Sequence, residues 1–225
     1  MYASFFKRFF DFIIALVALI VLFPLLLVLT ICGAIVMKGN PFFVQPRPGK
    51  GEKIFKLIKF RSMTNEKDAD GKLLPDEARL TPYGQWLRDS SMDELPELLN
   101  IITGDMAIVG PRPLLVRDMV FMTAEQRRRH TVRQGLTGLA QVNGRNHTTW
   151  EKKLEYDLKY IEKITFWGDL KILFQTVSLV LSRKGVSEEG CATAEDLADY
   201  LIQKGLITEE QYDQGQSEAL ELLRG

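Results

Sequence analysis

The longest hydrophobic feature of the chain is a segment near its N-terminus. No residue between Phe12 and Met37 is charged, a run of 26 positions. A helix needs about 20 such residues to cross the hydrocarbon core of a bilayer. The run is too long for the apolar region of a signal peptide, which has about 7 to 15 residues followed by a small-residue cleavage site. The segment is therefore predicted to insert into a membrane.

Positive charges flank this segment on both sides, and Pro24 lies near its middle. Lys7 and Arg8 precede the run and Lys38 follows it, so the positive-inside rule places both ends on the cytoplasmic side. A helix broken at Pro24 would satisfy the rule by entering and leaving on one face, because proline removes the hydrogen bond to the Ile20 carbonyl. The alternative is an ordinary transmembrane helix with a tolerated proline kink. The residues alone leave both open.

Short strands and helices follow the membrane segment. The connector at 41–51 contains three prolines and two glycines and is predicted to be irregular. Residues 53–60 have the β-rich, partly alternating pattern of a strand, and 106–109 form an apolar run before a Gly-Pro-Arg-Pro turn. Helices are predicted at 82–89, 91–103, 114–129, 151–163 and 166–182. The aromatic residues Trp150, Phe166 and Trp167 fit either a membrane interface or a core.

Charge divides the chain into a basic body and an acidic tail. From Ser187 onward there are ten acidic and two basic residues, which leaves a charge of +8 for the rest. A basic body favours phosphates, nucleic acid or an anionic membrane surface. The two cysteines and the two histidines lack the spacing of a disulfide framework or a zinc site, so any metal is expected to be held by carboxylates.

Two adjacent acids, Asp93 and Glu94, begin the helix predicted at 91–103. Carboxylates there would complement the helix dipole, and Ser91 with Glu94 would form a capping box. Cations at the ends of other elements favour a chemical role instead, because such positions can converge on one site. These cations are Lys59, Arg61, Arg79, Arg88, Arg112 and Arg145.

Phosphoryl transfer would use this set of residues. It requires a nucleophile, cations for the phosphate oxygens and usually Mg²⁺ held by carboxylates. An aspartate can be the nucleophile by forming an acyl phosphate, which divides one displacement between two anions into two easier steps.

Five stretches appear in a characteristic order, and the combination is highly specific. They are Lys59-Phe60-Arg61-Ser62-Met63, 79–88, Asp93-Glu94-Leu95-Pro96-Glu97-Leu98-Leu99-Asn100, 104–113 with Val-Gly-Pro-Arg-Pro, and 135–146 with Gly-Leu-Thr-Gly-Leu-Ala-Gln-Val. Over roughly residues 4–185 the chain resembles the bacterial sugar transferase family, the monotopic polyprenol-phosphate phosphoglycosyl transferases.

The resemblance implies an α+β fold that is mostly helical. An N-terminal re-entrant membrane helix hairpin at 1–40 would precede a small cytoplasmic catalytic domain at 41–186 with interfacial amphipathic helices. The acidic helical tail at 187–225 extends beyond the minimal catalytic unit. The protein would then lie in the bacterial inner membrane, with its catalytic domain on the cytoplasmic face. One departure is Phe23 before Pro24, where relatives often have serine.

The resemblance also implies a ping-pong reaction. Asp93 would attack the β-phosphate of a UDP-sugar, UMP would leave, and a polyprenol phosphate such as undecaprenyl phosphate would take the phosphosugar. Glu94 would hold Mg²⁺ beside Asp93. Lys59, Arg88 and Arg112 are expected to bind phosphates, and Arg145 with Asp157 the nucleotide sugar. Arg61 and Arg79 are further candidates for substrate binding. An N-acetylhexosamine is the expected sugar.

Other classes of function make different predictions. A membrane-bound scaffold would bind lipid through the basic body and recruit a partner through the tail, and it would tolerate Asp93→Asn. A phosphatase or pyrophosphatase would use the same carboxylates with water as acceptor. Nucleic-acid binding is not expected, because the chain has no recognised module and no single basic stripe.

Overall fold

The computed structural model describes residues 2–144, 148–182 and 195–224. A π-helical turn at Tyr2–Phe6 leads into the long helix α1. The helices are α1 (Lys7–Val36), α2 (Asp76–Arg79), α3 (Pro82–Asp89), α4 (Glu97–Thr103), α5 (Val116–Val120), α6 (Ala124–Arg127), α7 (Leu139–Asn143), α8 (Trp150–Glu162), α9 (Phe166–Ser182), α10 (Leu197–Gln203) and α11 (Glu209–Leu222). The strands are β1 (Phe42–Pro48), β2 (Ile54–Phe60), β3 (Met106–Val109) and β4 (Gln134–Thr137). The predicted mostly helical α+β fold is confirmed.

Helix α1 is the membrane candidate, and no other helix among the described residues is both long and apolar enough to cross a bilayer. Its 30 residues correspond to about 45 Å of helix. The helix continues through Pro24, which is exposed. The predicted re-entrant hairpin therefore stays a prediction.

Both halves of α1 contact the same folded body. Near its start, the Arg8 guanidinium donates to the carbonyls of Ile101 and Ile102 at the end of α4 (2.5 and 2.8 Å). Near its end, the Tyr83 hydroxyl of α3 donates to the Leu29 carbonyl (2.8 Å). Between these anchors, one face of α1 packs through the fully buried Ala15 on the core formed by α4, β2 and β3.

The four strands pair two by two. Strands β1 and β2 are antiparallel, from Phe42 opposite Phe60 to Pro48 opposite Ile54. The predicted irregular connector at 41–51 is therefore wrong over most of its length. Its prolines are tolerated because β1 is an edge strand, where a missing N–H need not break a ladder on the open side. Strands β3 and β4 are parallel, with Met106 opposite Gln134, and β3 is fully buried.

Two predicted helices differ from the structure. The capping box of Ser91 with Glu94 is wrong, because Ser91 has left-handed backbone angles (φ 56°) and its side chain caps nothing. Met92–Glu94 instead forms a 3-10 turn, and α4 begins only at Glu97. The helix predicted over 114–129 is divided, since Thr123 starts α6 with its own capping box to Gln126.

The described part of the tail, 195–224, packs on the body. The backbone N–H of Leu197 donates to Asp118 of α5 (3.0 Å), and Asp196 forms an ion pair with Arg117. Leu197 also joins a small apolar cluster with Trp150 and Leu154. The tail therefore shares a core with the domain, while the predicted boundary at 187 lies outside the described residues.

Candidate active site

Asp93 and Glu94 lie in the 3-10 turn that joins α3 to α4. The turn is anchored by the neighbouring side chains of Met92 and Leu95, which pack on a cluster containing Leu29 of α1 and Phe60 of β2. Apolar residues on each side of the pair thus fix the turn, and the two carboxylates are left half-buried. The same cluster connects the turn directly to helix α1.

Two cations converge on Glu94 from different parts of the chain. Lys59, near the end of β2, donates to Glu94 Oε1 (2.7 Å), and Arg112, in the turn after β3, donates to the same oxygen (2.6 Å). The Lys59 ammonium also lies 3.1 Å from the buried carboxylate of Glu97. The structure therefore brings Lys59 and Arg112 together beside the acidic pair, and their contacts with substrate stay predictions.

These charges separate the acidities of three neighbouring carboxyl groups. Burial, and next the charge of Glu94, raise the pKa of Asp93 to about 6. Burial would also raise the pKa of Glu94, but Arg112 and Lys59 together hold it well below its ordinary value. Burial raises the pKa of Glu97 to about 7, against the opposing charge of Lys59. Near neutral pH, Glu94 is therefore ionised while Asp93 and Glu97 lie close to titration.

Arg88 completes the cationic side of the site. It sits at the end of α3, and its Nε donates to the Ser62 hydroxyl (2.9 Å). Burial lowers the pKa of Arg88, and the charge of Asp93 opposes that shift. The charges of Lys59, Arg112 and Arg88 thus all act on Asp93, while Lys59 and Arg112 bond directly to Glu94.

The remaining predicted substrate residues are placed elsewhere or lie outside the description. Arg79 binds the carbonyls of Thr64 and Leu74 and pairs with Asp76, so it braces the loop before α3. Arg61 is half-buried. Arg145 lies outside the described residues. Substrate contacts of these arginines stay predictions.

Asp157 and Arg129 form a buried ion pair. Arg129 is fully buried and donates through Nε and Nη2 to Asp157 Oδ2 (2.9 and 2.7 Å). Arg129 Nη2 also donates to the backbone carbonyl of Arg112 (2.6 Å). Asp157 can thus act on the site through Arg129, and its predicted contact with the nucleotide sugar stays a prediction.

Sequence reasoning missed the role of Arg129. Three consecutive arginines at 127–129 suggest a contact with anionic lipid or a solvated cluster, but neither fits Arg129, because its side chain is fully buried. A buried arginine requires a buried acid, but three consecutive arginines do not show which one turns inward.

A second arginine holds the other side of the Arg112 turn. Nη1 of Arg47 on β1 donates to the Pro113 carbonyl (3.2 Å). Burial lowers the pKa of Arg47 to about 10, so the side chain stays charged at neutral pH. Arg129 and Arg47 therefore bind two consecutive carbonyls of this turn, those of Arg112 and Pro113.

The carboxylates of Asp93 and Glu94 fit a Mg²⁺ ion that substrate phosphates also bind. Among the described residues, no group of three or more acidic, histidine or cysteine side chains is arranged to hold a metal. Mg²⁺ in phosphoryl-transfer sites is typically bound by one or two carboxylates together with substrate phosphates. The adjacent pair therefore fits an ion that is bound jointly with a diphosphate.

The aromatic residues divide between core and surface. Trp150 is 8% exposed and packs in the cluster beneath the tail. Trp167 is 74% exposed, and Phe166 and Phe174 of α9 are also exposed. Phe166 contacts Phe10 of α1 (ring centroids 5.7 Å apart), so α9 and α1 present a joint apolar surface.

Comparison with known proteins identifies the family of the chain. A family profile described as bacterial sugar transferase matches residues 2–183. The chain is 47% identical over 190 residues to a Bacillus subtilis protein described as "Uncharacterized sugar transferase EpsL", covering 84% of this chain and 94% of that protein. It is 41% identical over 187 residues to the UDP-glucose:undecaprenyl-phosphate glucose-1-phosphate transferase of Klebsiella pneumoniae, covering 76% of this chain and 39% of that protein.

A third relative has a different sugar in its name. The undecaprenyl-phosphate galactose phosphotransferase of Salmonella typhimurium is 33% identical over 201 residues, covering 81% of this chain and 42% of that protein. The chain thus spans about two fifths of these two longer relatives. The protein belongs to the bacterial sugar transferase family.

Proposed function

We propose that the protein transfers a sugar phosphate from a UDP-sugar to undecaprenyl phosphate, with release of UMP. The observation that carries the proposal is the convergence of Lys59 and Arg112 on Glu94, beside Asp93 and Arg88, on a turn packed against the membrane helix. Such a site brings carboxylates, cations for phosphate and a lipid-facing element together. One relative is named as a UDP-glucose:undecaprenyl-phosphate glucose-1-phosphate transferase, and another as an undecaprenyl-phosphate galactose phosphotransferase. Both names support the same class of reaction.

The reaction would proceed in two displacements at one phosphorus. An oxygen of the Asp93 carboxylate attacks the β-phosphorus, the bond to the oxygen bridging the two phosphates breaks, and UMP leaves with that oxygen. An oxygen of undecaprenyl phosphate then attacks the same phosphorus and releases the Asp93 carboxylate. The product is an undecaprenyl diphosphosugar. The two-step path keeps the two anionic substrates from having to react directly with each other.

The surrounding charges suit this path. A carboxyl with a pKa of about 6 is mostly ionised at neutral pH and is a better leaving group than an alcohol. Arg88, whose charge acts on Asp93, is suited to hold the phosphoryl oxygens, and Lys59 and Arg112 are placed for the diphosphate. Glu94, with Asp93, would hold Mg²⁺, which when bound supplies additional positive charge for the diphosphate.

A monotopic arrangement in the inner membrane, with the domain on the cytoplasmic face, is part of the proposal. Arg8 and Leu29, at opposite parts of α1, both bond to the same body, whereas a spanning helix would carry one end about 30 Å away across the hydrocarbon. Ile20, Val21 and Phe23 near the middle of α1 are each more than 60% exposed, as expected for the deepest part of the helix. A re-entrant course with both ends on one face fits these contacts.

The experiment is a UMP-release assay on detergent-solubilised protein with Mg²⁺. The donors would be UDP-glucose, UDP-galactose and UDP-linked N-acetylhexosamines, each with and without undecaprenyl phosphate. An N-acetylhexosamine donor is the expectation from the sequence, and glucose and galactose are the sugars named for the relatives. The active donor would identify the sugar.

The variants are Asp93→Asn and, as a matched control, Asp89→Asn on the exposed end of α3. The proposal expects acceptor-dependent turnover that Asp93→Asn abolishes and Asp89→Asn leaves within about twofold. Acceptor-independent hydrolysis would point to a phosphatase, and unaltered turnover by Asp93→Asn would refute the role of Asp93.

A further inference from the structure

A second group of cations surrounds a pocket at the start of α1, which we call the basal pocket. It has a volume of about 70 Å³, and its polar lining consists of Lys7, Arg8, Asp11, Lys50, Thr131, Arg133 and Tyr160. The pocket lies at the C-terminal end of α4, whereas Asp93 and Glu94 precede the N-terminal end of that helix. The seven residues of α4 separate the two sites by about 10 Å.

The charges of the basal pocket do not balance. Lys7 is neutralised by Asp169 (2.7 Å) and Asp11 (3.7 Å). Arg8, Lys50 and Arg133 remain, and Asp11 is the sole acid in the lining among the described residues. The Asp11 carboxylate is already engaged, since it also accepts from the backbone N–H of Ile108 (3.2 Å).

Capping of α4 explains part of this arrangement. Arg8 binds the carbonyls of Ile101 and Ile102, and Arg133 Nε binds that of Gly104 (2.7 Å), as cations at a helix C-terminus do. Capping does not require a second arginine, and it does not explain the nearby exposed Lys50. Arg8 and Arg133 bond to backbone carbonyls, which carry no net charge, and Asp105 acts on Arg8 from outside the lining. The basal pocket therefore keeps an excess of positive charge.

The position of the basal pocket indicates what it binds. The exposed aromatic residues Phe5, Phe6, Phe9 and Phe10 are interspersed in sequence with lining residues of the pocket, and the uncharged part of α1 starts at Phe12. The basal pocket is therefore placed where the apolar surface ends and charged groups begin, which is the level of lipid phosphates in a bilayer. We propose that the basal pocket binds the phosphate of an anionic membrane lipid.

Two lipids share this chemistry, the phosphodiester of phosphatidylglycerol and the phosphomonoester of undecaprenyl phosphate. The inference rests on the proposed membrane placement of α1 and not on turnover at Asp93. A binding measurement therefore separates the two, because lipid retention needs neither UDP-sugar nor an active Asp93.

The test is native mass spectrometry of the full chain in neutral detergent. Phosphatidylglycerol, undecaprenyl phosphate, zwitterionic phosphatidylcholine or inorganic phosphate would be added separately. The variants are Lys50→Gln and Lys50→Gln/Arg133→Gln, with Arg133→Lys as the conservative rescue. Lys53→Gln/Arg128→Gln is a control with the same change of charge at two exposed positions. Thermal unfolding of each variant would be measured in parallel.

The inference predicts one retained anionic lipid on the wild type and on the charge control. Apparent affinity should fall at least tenfold in Lys50→Gln/Arg133→Gln, fall less in Lys50→Gln and return in Arg133→Lys, without loss of UMP release. Preference for phosphatidylglycerol would identify a bulk lipid, and preference for undecaprenyl phosphate would identify a second binding site for that lipid, apart from the site at Asp93. Equal retention by the double variant and the wild type, or retention of inorganic phosphate only, would overturn the inference.

Discussion

Replacement of Arg129 by methionine separates its structural role from its effect on the active site. In Arg129→Met, the Asp157 carboxylate loses both hydrogen bonds that Arg129 donates to it and remains buried. An uncompensated buried charge of this kind typically costs about 3 to 5 kcal/mol. For a chain of this size that corresponds to a fall in melting temperature of roughly 6 to 20 °C.

The double variant Arg129→Met/Asp157→Leu removes the stranded charge. Isosteric apolar replacement of a buried ion pair is often neutral or stabilising, so the melting temperature should recover most of the loss. The hydrogen bond from Arg129 to the Arg112 carbonyl stays absent in both variants. A hydrogen bond from a charged donor contributes about 1.5 to 3 kcal/mol. If this whole contribution serves to position Arg112, its loss corresponds to a roughly 10- to 150-fold lower rate.

The assay compares kcat/KM for UMP release with the melting temperature across the wild type and both variants. The double variant should be stable but still about 10- to 150-fold less active, and the deficit should appear mainly in the dependence on UDP-sugar. Recovery of activity in step with stability would refute the argument that Arg129 positions Arg112.

Three further predictions test other parts of the fold. His130 is buried, and burial, followed by the charge of Arg129, lowers its pKa to about 4. The unfolded histidine gains its proton near pH 6.5, so the free energy of unfolding should be highest above that pH and fall by roughly 3 kcal/mol as pH drops towards 4. In thermal unfolding, His130→Gln should remove this pH dependence. Gly84→Ala would place its Cβ 1.8 Å from the Ser62 carbonyl oxygen, so UMP release should fall at least about tenfold. Gly215→Ala would place its Cβ 2.3 Å from the Phe121 ring, so limited proteolysis should cut 195–224 faster. Adding Phe121→Leu to Gly215→Ala should restore resistance to the protease.

Local signals in the sequence were sufficient for elements whose ends are set by neighbouring residues. The helix predicted at 82–89 is confirmed as α3, which Thr81 caps and Pro82 begins, and within the tail α11 starts at the capping box of Thr208 with Gln211. Residues 166–182 form one helix with the predicted bounds. In each of these cases the deciding interaction is within a few residues along the chain.

The failures have tertiary causes. Strand β1 was missed because three prolines predict a loop unless the partner strand is known. Ser91 does not cap a helix because Glu94 is drawn to Lys59 and Arg112, which come from other elements. The pairing of Arg129 with Asp157 joins residues 28 positions apart, and no sequence pattern specifies it.

The residues of the candidate site also divide into those that the sequence indicated correctly and those that only the structure places. Asp93, Glu94, Lys59, Arg88 and Arg112 could be chosen because each stands at the end of an element, and the structure brings them together. Arg79 satisfies the same criterion but binds its own loop. Position at the end of an element therefore selects candidates, and the distances decide among them.

The central claim is that Asp93 carries the phosphosugar between the two displacements. The most direct test incubates the protein with the active UDP-sugar and Mg²⁺ in the absence of undecaprenyl phosphate, quenches it in acid, and maps the peptide containing 92–97 by mass spectrometry. The account predicts one added phosphosugar on Asp93, lost when undecaprenyl phosphate is added before the quench and absent from Asp93→Asn. A wild-type enzyme that turns over with acceptor but carries no adduct under these conditions, or carries one on another residue, would contradict the account.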